Sequence, residues 1–386
     1  MSVTAAGGFS AAGVAAGIKA SGALDLALVV NDGPATTAAG VFTRNQVKAA
    51  PVLWSAQVLT GHRLRAVVLN SGGANACTGP GGFQDTHATA ERVATAIDCG
   101  AAQVAVCSTG LIGERLPLDA LLAGVDKAGA ALAATPEAGL AAATAVLTTD
   151  TVPKQAALTR TAGWTVGGFA KGAGMVAPNL ATMLCVLTTD AAVEKSVVDA
   201  ALRQATAETF ERLDVDGTCS TNDTVLLLAS GASGIVPDQQ EFAAAVRQVC
   251  HELVKALQAD AEGVTKEIAI TVRGATHDAD ALTIARAVAR DNLVKTAFFG
   301  SDPNWGRIAA AAGASPATVR ADTLDIQING VVLCQNGAVA ANRAEADLSG
   351  REITVELDLH LGPGQATVFT TDLSHAYVEE NSAYSS

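Results

Sequence analysis

The chain has 386 residues, 49% of them hydrophobic, which is material for one large or two fused globular cores rather than for a small stapled domain. Its 25 Lys and Arg against 38 Asp and Glu give a formal net charge of -13, a surface that repels nucleic acid and anionic membrane and leaves small-molecule chemistry as the expectation. No segment reaches the roughly 18 uninterrupted apolar residues of a membrane span, and the first positive charge is Lys19 with no apolar run behind a basic start, so a cytoplasmic location without a signal peptide is expected.

In chain order, short apolar runs rich in β-branched residues predict strands at 65–69, 104–107, 183–187, 268–272 and 353–357. Apolar residues spaced three and four apart predict helices at 88–97, 118–132, 197–210, 242–257 and 278–288. The mixture predicts an α/β protein, and no repeat, charge block or Pro/Ser-rich linker marks a domain boundary. Gly-rich loops are expected at 71–82, 108–113, 167–174 and 300–306, where backbone amides can approach a ligand closely. The first has no G-K-[ST] ending and no Asp at dinucleotide spacing, which excludes a phosphate-binding loop and a dinucleotide fingerprint and leaves a structural wall. Seven scattered cysteines without a C-x-x-C pair read as buried thiols in a reducing compartment. No His, Cys or carboxylate group has metal-ligand spacing, so no metal is expected.

The most unusual stretch is K-G-A-G-M-V-A-P-N-L-A-T-M-L at 171–184, a permissive loop running into an apolar strand with Thr182 at the junction. A hydroxyl there can attack the Ala181 carbonyl and give an ester that water cleaves, leaving a new N-terminal threonine. Such a residue carries nucleophile and base together, because its α-amine, with a pKa of about 8, takes the hydroxyl proton. The six histidines form no triad pattern, and this chemistry needs none. On local spacing alone, however, Thr182 is an ordinary strand residue.

The 171–184 stretch resembles the self-cleavage signature of the ornithine acetyltransferase family, the arginine-biosynthesis enzymes that act as glutamate N-acetyltransferases. The resemblance continues in order through Gly8-Phe9 with Ala11-Ala12-Gly13-Val14, the N-S-G-G-A-N-A block at 70–76, D-G-T-C-S-T-N-D-T at 216–224 and D-P-N-W-G-R at 302–307. Two positions depart from the family pattern: Gly73, where Asn is frequent, and Cys219, where a small hydroxyl or acidic-neighbour residue is frequent.

The resemblance implies a layered α/β sandwich of the self-cleaving N-terminal-nucleophile type, with a smaller C-terminal α/β subdomain roughly within 240–345. It implies cleavage between Ala181 and Thr182 into chains 1–181 and 182–386 that share one core, and two of each chain in a heterotetramer. It implies ping-pong transfer of acetyl from N2-acetylornithine to glutamate through acetyl-Thr182, with no cofactor and with acetyl-CoA open as a co-substrate. Thr109 and Gly110 stand at its oxyanion positions. Thr148, Lys171, Thr182, Glu262, Asn381 and Ser386 stand at its substrate positions, Lys171 suiting a carboxylate and Glu262 an ammonium. Without the family pattern, Thr109-Gly110 reads as a strand-end turn, Thr148 as a helix-end turn, Lys171 and Glu262 as solvated charges, and 377–386 as a frayed tail. Two alternatives share the residues: an N-terminal-nucleophile amidohydrolase or aminopeptidase that passes the acyl group to water, and an amino-acid-binding relative without turnover.

Overall fold

The computed structural model describes residues 2–175, 177 and 183–383. Contacts divide the chain into two compact units: one built from residues up to Glu211 with Thr218–Leu257, the other from Arg212–Gly217 with the chain from Gln258 onward.

The first unit contains strands β1 (Phe9–Val14), β2 (Leu26–Asn31) and β3 (Thr37–Phe42), helix α1 (Ala50–Val58), β4 (Ala66–Ser71), α2 (Gly79–Ala96) and β5 (Val104–Thr109). It continues with α3 (Leu118–Ala130), α4 (Pro136–Ala145), β6 (Lys154–Thr159), β7 (Thr165–Lys171), β8 (Leu184–Thr189), α5 (Lys195–Glu208), β9 (Thr224–Ala229) and α6 (Gln239–Ala259), which belongs here up to Leu257. The strands form a four-stranded sheet in the order β1-β2-β4-β5 and a five-stranded sheet in the order β3-β9-β8-β7-β6.

Side-chain alternation along these strands decides the layers. Ala27, Val29, Val67, Leu69, Ala105 and Cys107 of the first sheet meet Phe169, Leu184, Val186, Leu226 and Leu228 of the second in one buried cluster. The opposite face of the first sheet, with Leu28, Val68 and Val106, is covered by Val93 of α2 and Val125 of α3. The outer face of the second is covered by α5, which lies on β3 and β9, and by α6, whose Cys250 lies beside Cys185 of β8. The result is a helix-sheet-sheet-helix sandwich, in which each fully buried Leu or Val contributes about 1.5–3 kcal/mol.

The second unit contains β10 (Glu267–Ala275), α7 (Asp278–Arg290), α8 (Asn292–Phe299), α9 (Trp305–Gly313), β11 (Asp325–Ile328), β12 (Val331–Gln335), β13 (Ala338–Val339), β14 (Glu352–Asp358), β15 (Gly364–Thr371) and α10 (His375–Ala383). Its six strands run in the order β13-β12-β11-β14-β10-β15. The inward residues Ile268, Ile270 and Val272 pack against Ile284 and Val288 of α7 and Ile308 of α9. Asp291 and Asn304 cap α8 and α9 by accepting the amides of Val294 and Arg307.

Two expectations are corrected. Residues 167–171 of the expected 167–174 loop belong to strand β7, and the glycines serve proximity rather than turning. A Cβ on Gly167 would stand 2.3 Å from the Ser2 carbonyl oxygen, and one on Gly168 would stand 2.8 Å from that of Val186. All seven cysteines are free, as expected, but only Cys107, Cys185, Cys250 and Cys334 are buried; Cys77 is exposed and Cys99 and Cys219 are half-buried. Among the described residues no helix is long and apolar enough to cross a membrane.

Candidate active site

The candidate site of the first unit is built where β5 and β7 end. β4 and β5 are parallel neighbours, with Ser71 opposite Thr109, so both strands deliver their following loops to one end of the sheet. There the Gly73 amide donates to the Thr109 carbonyl at 3.0 Å. Gly110 follows with φ +130°, and a Cβ there would lie 2.5 Å from the Gly73 nitrogen. Only glycine fits this close backbone approach.

The loops are fixed by buried side chains. Asn222 Nδ2 donates to the carbonyls of Ala74 and Ser108 at 2.7 and 2.8 Å. Ser108 Oγ donates to Asn70 Oδ1 at 2.6 Å. Thr109 therefore stands on a braced turn, only 3% exposed.

Lys171 is the last residue of β7, and its antiparallel partner Leu184 is the first of β8. The 172–183 connection thus leaves and returns at adjacent points of one sheet edge. The Lys171 side chain is 1% exposed. Its Nζ donates to Thr109 Oγ1 at 3.0 Å and to Thr148 Oγ1 at 2.9 Å. Three residues separated by tens of positions in sequence are thereby joined through one ammonium.

A buried charge needs a counter-charge, and Asp150 supplies it. Its Oδ2 lies 4.0 Å from Lys171 Nζ, and its Oδ1 is 2.5 Å from Lys154 Nζ. Burial pushes the Asp150 carboxyl upward, but Lys171, Lys154 and the Gly172 amide outweigh it and hold the group below the usual carboxylate range. Burial also lowers the Lys171 ammonium; Asp150 and Asp223 oppose this, while Lys154 and Lys19 add to it.

Asp223 adjoins the far end of the connection. Its Oδ1 accepts the Met183 amide at 3.0 Å. Burial pushes this carboxyl well above its ordinary range. Lys19, half-buried, donates to the Leu147 carbonyl at 2.7 Å, directly before Thr148.

In the second unit, Asn381 on α10 donates its Nδ2 to Glu262 Oε2 at 2.8 Å and to the Tyr377 carbonyl at 2.9 Å. Glu262 is 6% exposed rather than solvated. The structure thus joins Thr109, Thr148 and Lys171 in one group and Glu262 and Asn381 in another. Ala181, Thr182 and Ser386 lie outside the described residues.

Sequence reading passed over Asp150, Lys154, Asn222 and Asp223. The T-T-D-T-V-P-K run at 148–154 carried one signal, opposite charges four apart without a helical pattern around them. Among the described residues no group of three or more His, Cys, Asp or Glu side chains is placed to hold a metal ion.

Residues 10–386 match the sequence profile of the ArgJ family. The chain is 64% identical to the arginine biosynthesis bifunctional protein ArgJ of Mycolicibacterium paratuberculosis, covering 100% of this chain and 96% of that protein. It is 58% identical to the protein of the same name from Streptomyces avermitilis, with 100% of both covered. Among solved structures, the arginine biosynthesis bifunctional protein of Bacillus halodurans is similar at 36% identity and a TM-score of 0.50, with 52% of this chain and 98% of that chain covered.

Proposed function

The chain belongs to the ArgJ family of arginine biosynthesis bifunctional proteins, and on that premise we propose that it cuts itself between Ala181 and Thr182 and moves acetyl from N2-acetylornithine to glutamate through Thr182. It is an acetyltransferase of arginine biosynthesis. The observation that carries the detailed reading is the Lys171 ammonium bonded to both Thr109 and Thr148 at the mouth of the 172–183 connection. A fixed cation beside two hydroxyls suits a substrate carboxylate and a developing oxyanion.

Cleavage proceeds by attack of the Thr182 hydroxyl on the Ala181 carbonyl, transfer of the acyl group from nitrogen to oxygen, and hydrolysis of the ester. The freed α-amine then accepts the hydroxyl proton as Thr182 attacks the acetyl carbonyl. Thr109 and Gly110 donate to the tetrahedral oxyanion, each such donor being worth roughly 10²-fold in rate. Ornithine leaves with a proton returned to its nitrogen. Glutamate enters, and its amine takes the acetyl group from the threonine ester. Glu262, held by the Asn381 amide, is the proposed partner of the amino-acid ammonium, and Ser386 a further substrate contact. The sequence-derived proposal includes no metal and no resident cofactor. A cytoplasmic heterotetramer of two long and two short chains is the proposed form.

A relative's size supports the cut. Residues 182–386 are 205 of the 386, close to the 52% of this chain that nearly the whole solved Bacillus halodurans chain covers.

Thr182→Ala is expected to remain one uncut band on denaturing electrophoresis, with transfer reduced at least ~10³-fold, the scale set by loss of a nucleophile. Full transfer by that variant would end the proposal. Labelled acetyl-CoA in the same assay tests a second donor: label in N-acetylglutamate establishes it. Release of free acetate faster than glutamate is acetylated would instead identify a hydrolase.

A further inference from the structure

One carboxylate in the first unit touches almost every described piece of the candidate site. Asp150 Oδ2 accepts the Thr148 amide at 3.2 Å. Its Oδ1 accepts the Gly172 amide at 2.6 Å, where the cleavage connection starts. Lys171 stands 4.0 Å from Oδ2, and Lys154 is bonded to Oδ1 at 2.5 Å. The Asp150 and Lys171 side chains are 0% and 1% exposed, so water does not screen this pair as it would at the surface. The titratable groups facing Lys171 are Asp150, Lys154, Asp223 and Lys19.

The charge on Lys171 decides which way the hydrogen bonds run. An ammonium has three hydrogens and no lone pair, so it only donates. While Lys171 is charged, Thr109 Oγ1 must accept from it, and the hydroxyl proton of Thr109 is directed to another acceptor. A neutral amine would offer a lone pair, and Thr109 could then donate to Lys171 and be lost as an oxyanion donor. The same reversal applies to Thr148.

We propose that Asp150 is a positioning residue for acetyl transfer: by acting as the counter-charge of Lys171, it fixes the hydrogen-bond polarity of Thr109 and so keeps that hydroxyl aimed as a donor at the oxyanion. The inference rests on the reading of Thr109 and Lys171 as site residues. It assigns Asp150 no contact with substrate. Lys154 balances the second half of the carboxylate's charge, and it is the competing cation whose removal strengthens the hold of Asp150 on Lys171.

The test compares pH profiles of kcat per cut chain, with folding followed by thermal melts. Asp150→Asn alone leaves two buried lysines without their counter-charge, so the informative variant is Asp150→Asn/Lys154→Met, which keeps charge balance. There the alkaline limb is expected to move down, by less than the about 1–2 pH units usual for a lost charge partner because removing Lys154 offsets part of the shift, with activity recovered at lower pH. Lys154→Met alone keeps Asp150 and is expected to move the limb upward. A purely structural role would lower kcat at every pH without moving the limb. A limb that stays put or moves down in Lys154→Met overturns the proposal even if the double variant fails to fold. Lys171→Met separates the two levels: if it transfers acetyl as well as the parent chain, the site reading itself is wrong, whereas a crippled Lys171→Met with unmoved limbs removes only the role of Asp150.

Discussion

At the residue scale, the first unit shifts two buried carboxyls in opposite directions within one site. Asp150 is flanked by cations that hold its carboxyl below the usual range, while burial outweighs the Met183 and Ser220 amides and Lys171 at Asp223 and pushes its carboxyl well above that range. Their linkage to stability has opposite signs. Asp150, lowered in the folded state, contributes stability above the unfolded-chain value that is lost as pH falls through its folded value. Asp223, raised in the folded state, binds a proton that the unfolded chain releases above pH about 4, so its contribution declines as pH rises. Asp223→Asn, which retains an acceptor for the Met183 amide, is therefore expected to gain stability over the parent chain between pH 4 and 7. Urea midpoints at both pH values read this; a difference that shrinks or stays flat would contradict the upward shift of Asp223. None of this was legible in the sequence. Asp150 and Asp223 sit in polar runs, and only the fold shows that both are buried, Asp223 completely.

At the element scale, what was legible had strong patterning. The runs at 104–107, 268–272 and 353–357 are the centres of β5, β10 and β14, and the 278–288 pattern is α7. The strands not seen include β1, F-S-A-A-G-V, and β3, T-A-A-G-V-F. Their Ala and Gly content lowers β propensity, and pairing with β2 and β9 decides them instead. β7 was misread for the same reason. Gly168 lets it lie against β8, so Gly168→Ala, placing a Cβ 2.8 Å from the Val186 carbonyl oxygen, is expected to cost about 1–3 kcal/mol. A urea midpoint equal to that of the parent chain would show that β7 yields more easily than its packing implies. The site itself was legible only through family resemblance: Lys171, Thr109 and Thr148 are remote in sequence, and nothing in their local spacing announces a shared ammonium.

At the scale of the whole molecule, the second sheet mixes both sides of the proposed cut. β3, β6 and β7 precede Ala181, whereas β8 and β9 follow it, and the order β3-β9-β8-β7-β6 places β8 and β9 between the others. Hydrogen bonds of two strand pairs, β3 with β9 and β7 with β8, and the buried cluster between the sheets hold the pieces without the peptide bond. Cut protein is thus expected to run as two chains of 181 and 205 residues on a denaturing gel and as one species in native size exclusion. Separation of the two in native buffer would show that the sheet does not hold them.

The interleaved strand order also changes what denaturation means. Before the cut, β8 finds its place beside β7 within a single molecule, tethered by the short 172–183 connection. After the cut that search becomes an encounter between two molecules, each carrying an incomplete sheet with open edges. With the proposed cut, folding is a one-way event in the life of the chain: the uncut polypeptide assembles at a rate indifferent to dilution, while the cut protein, once unfolded, can return only at a rate that falls on dilution and competes with aggregation.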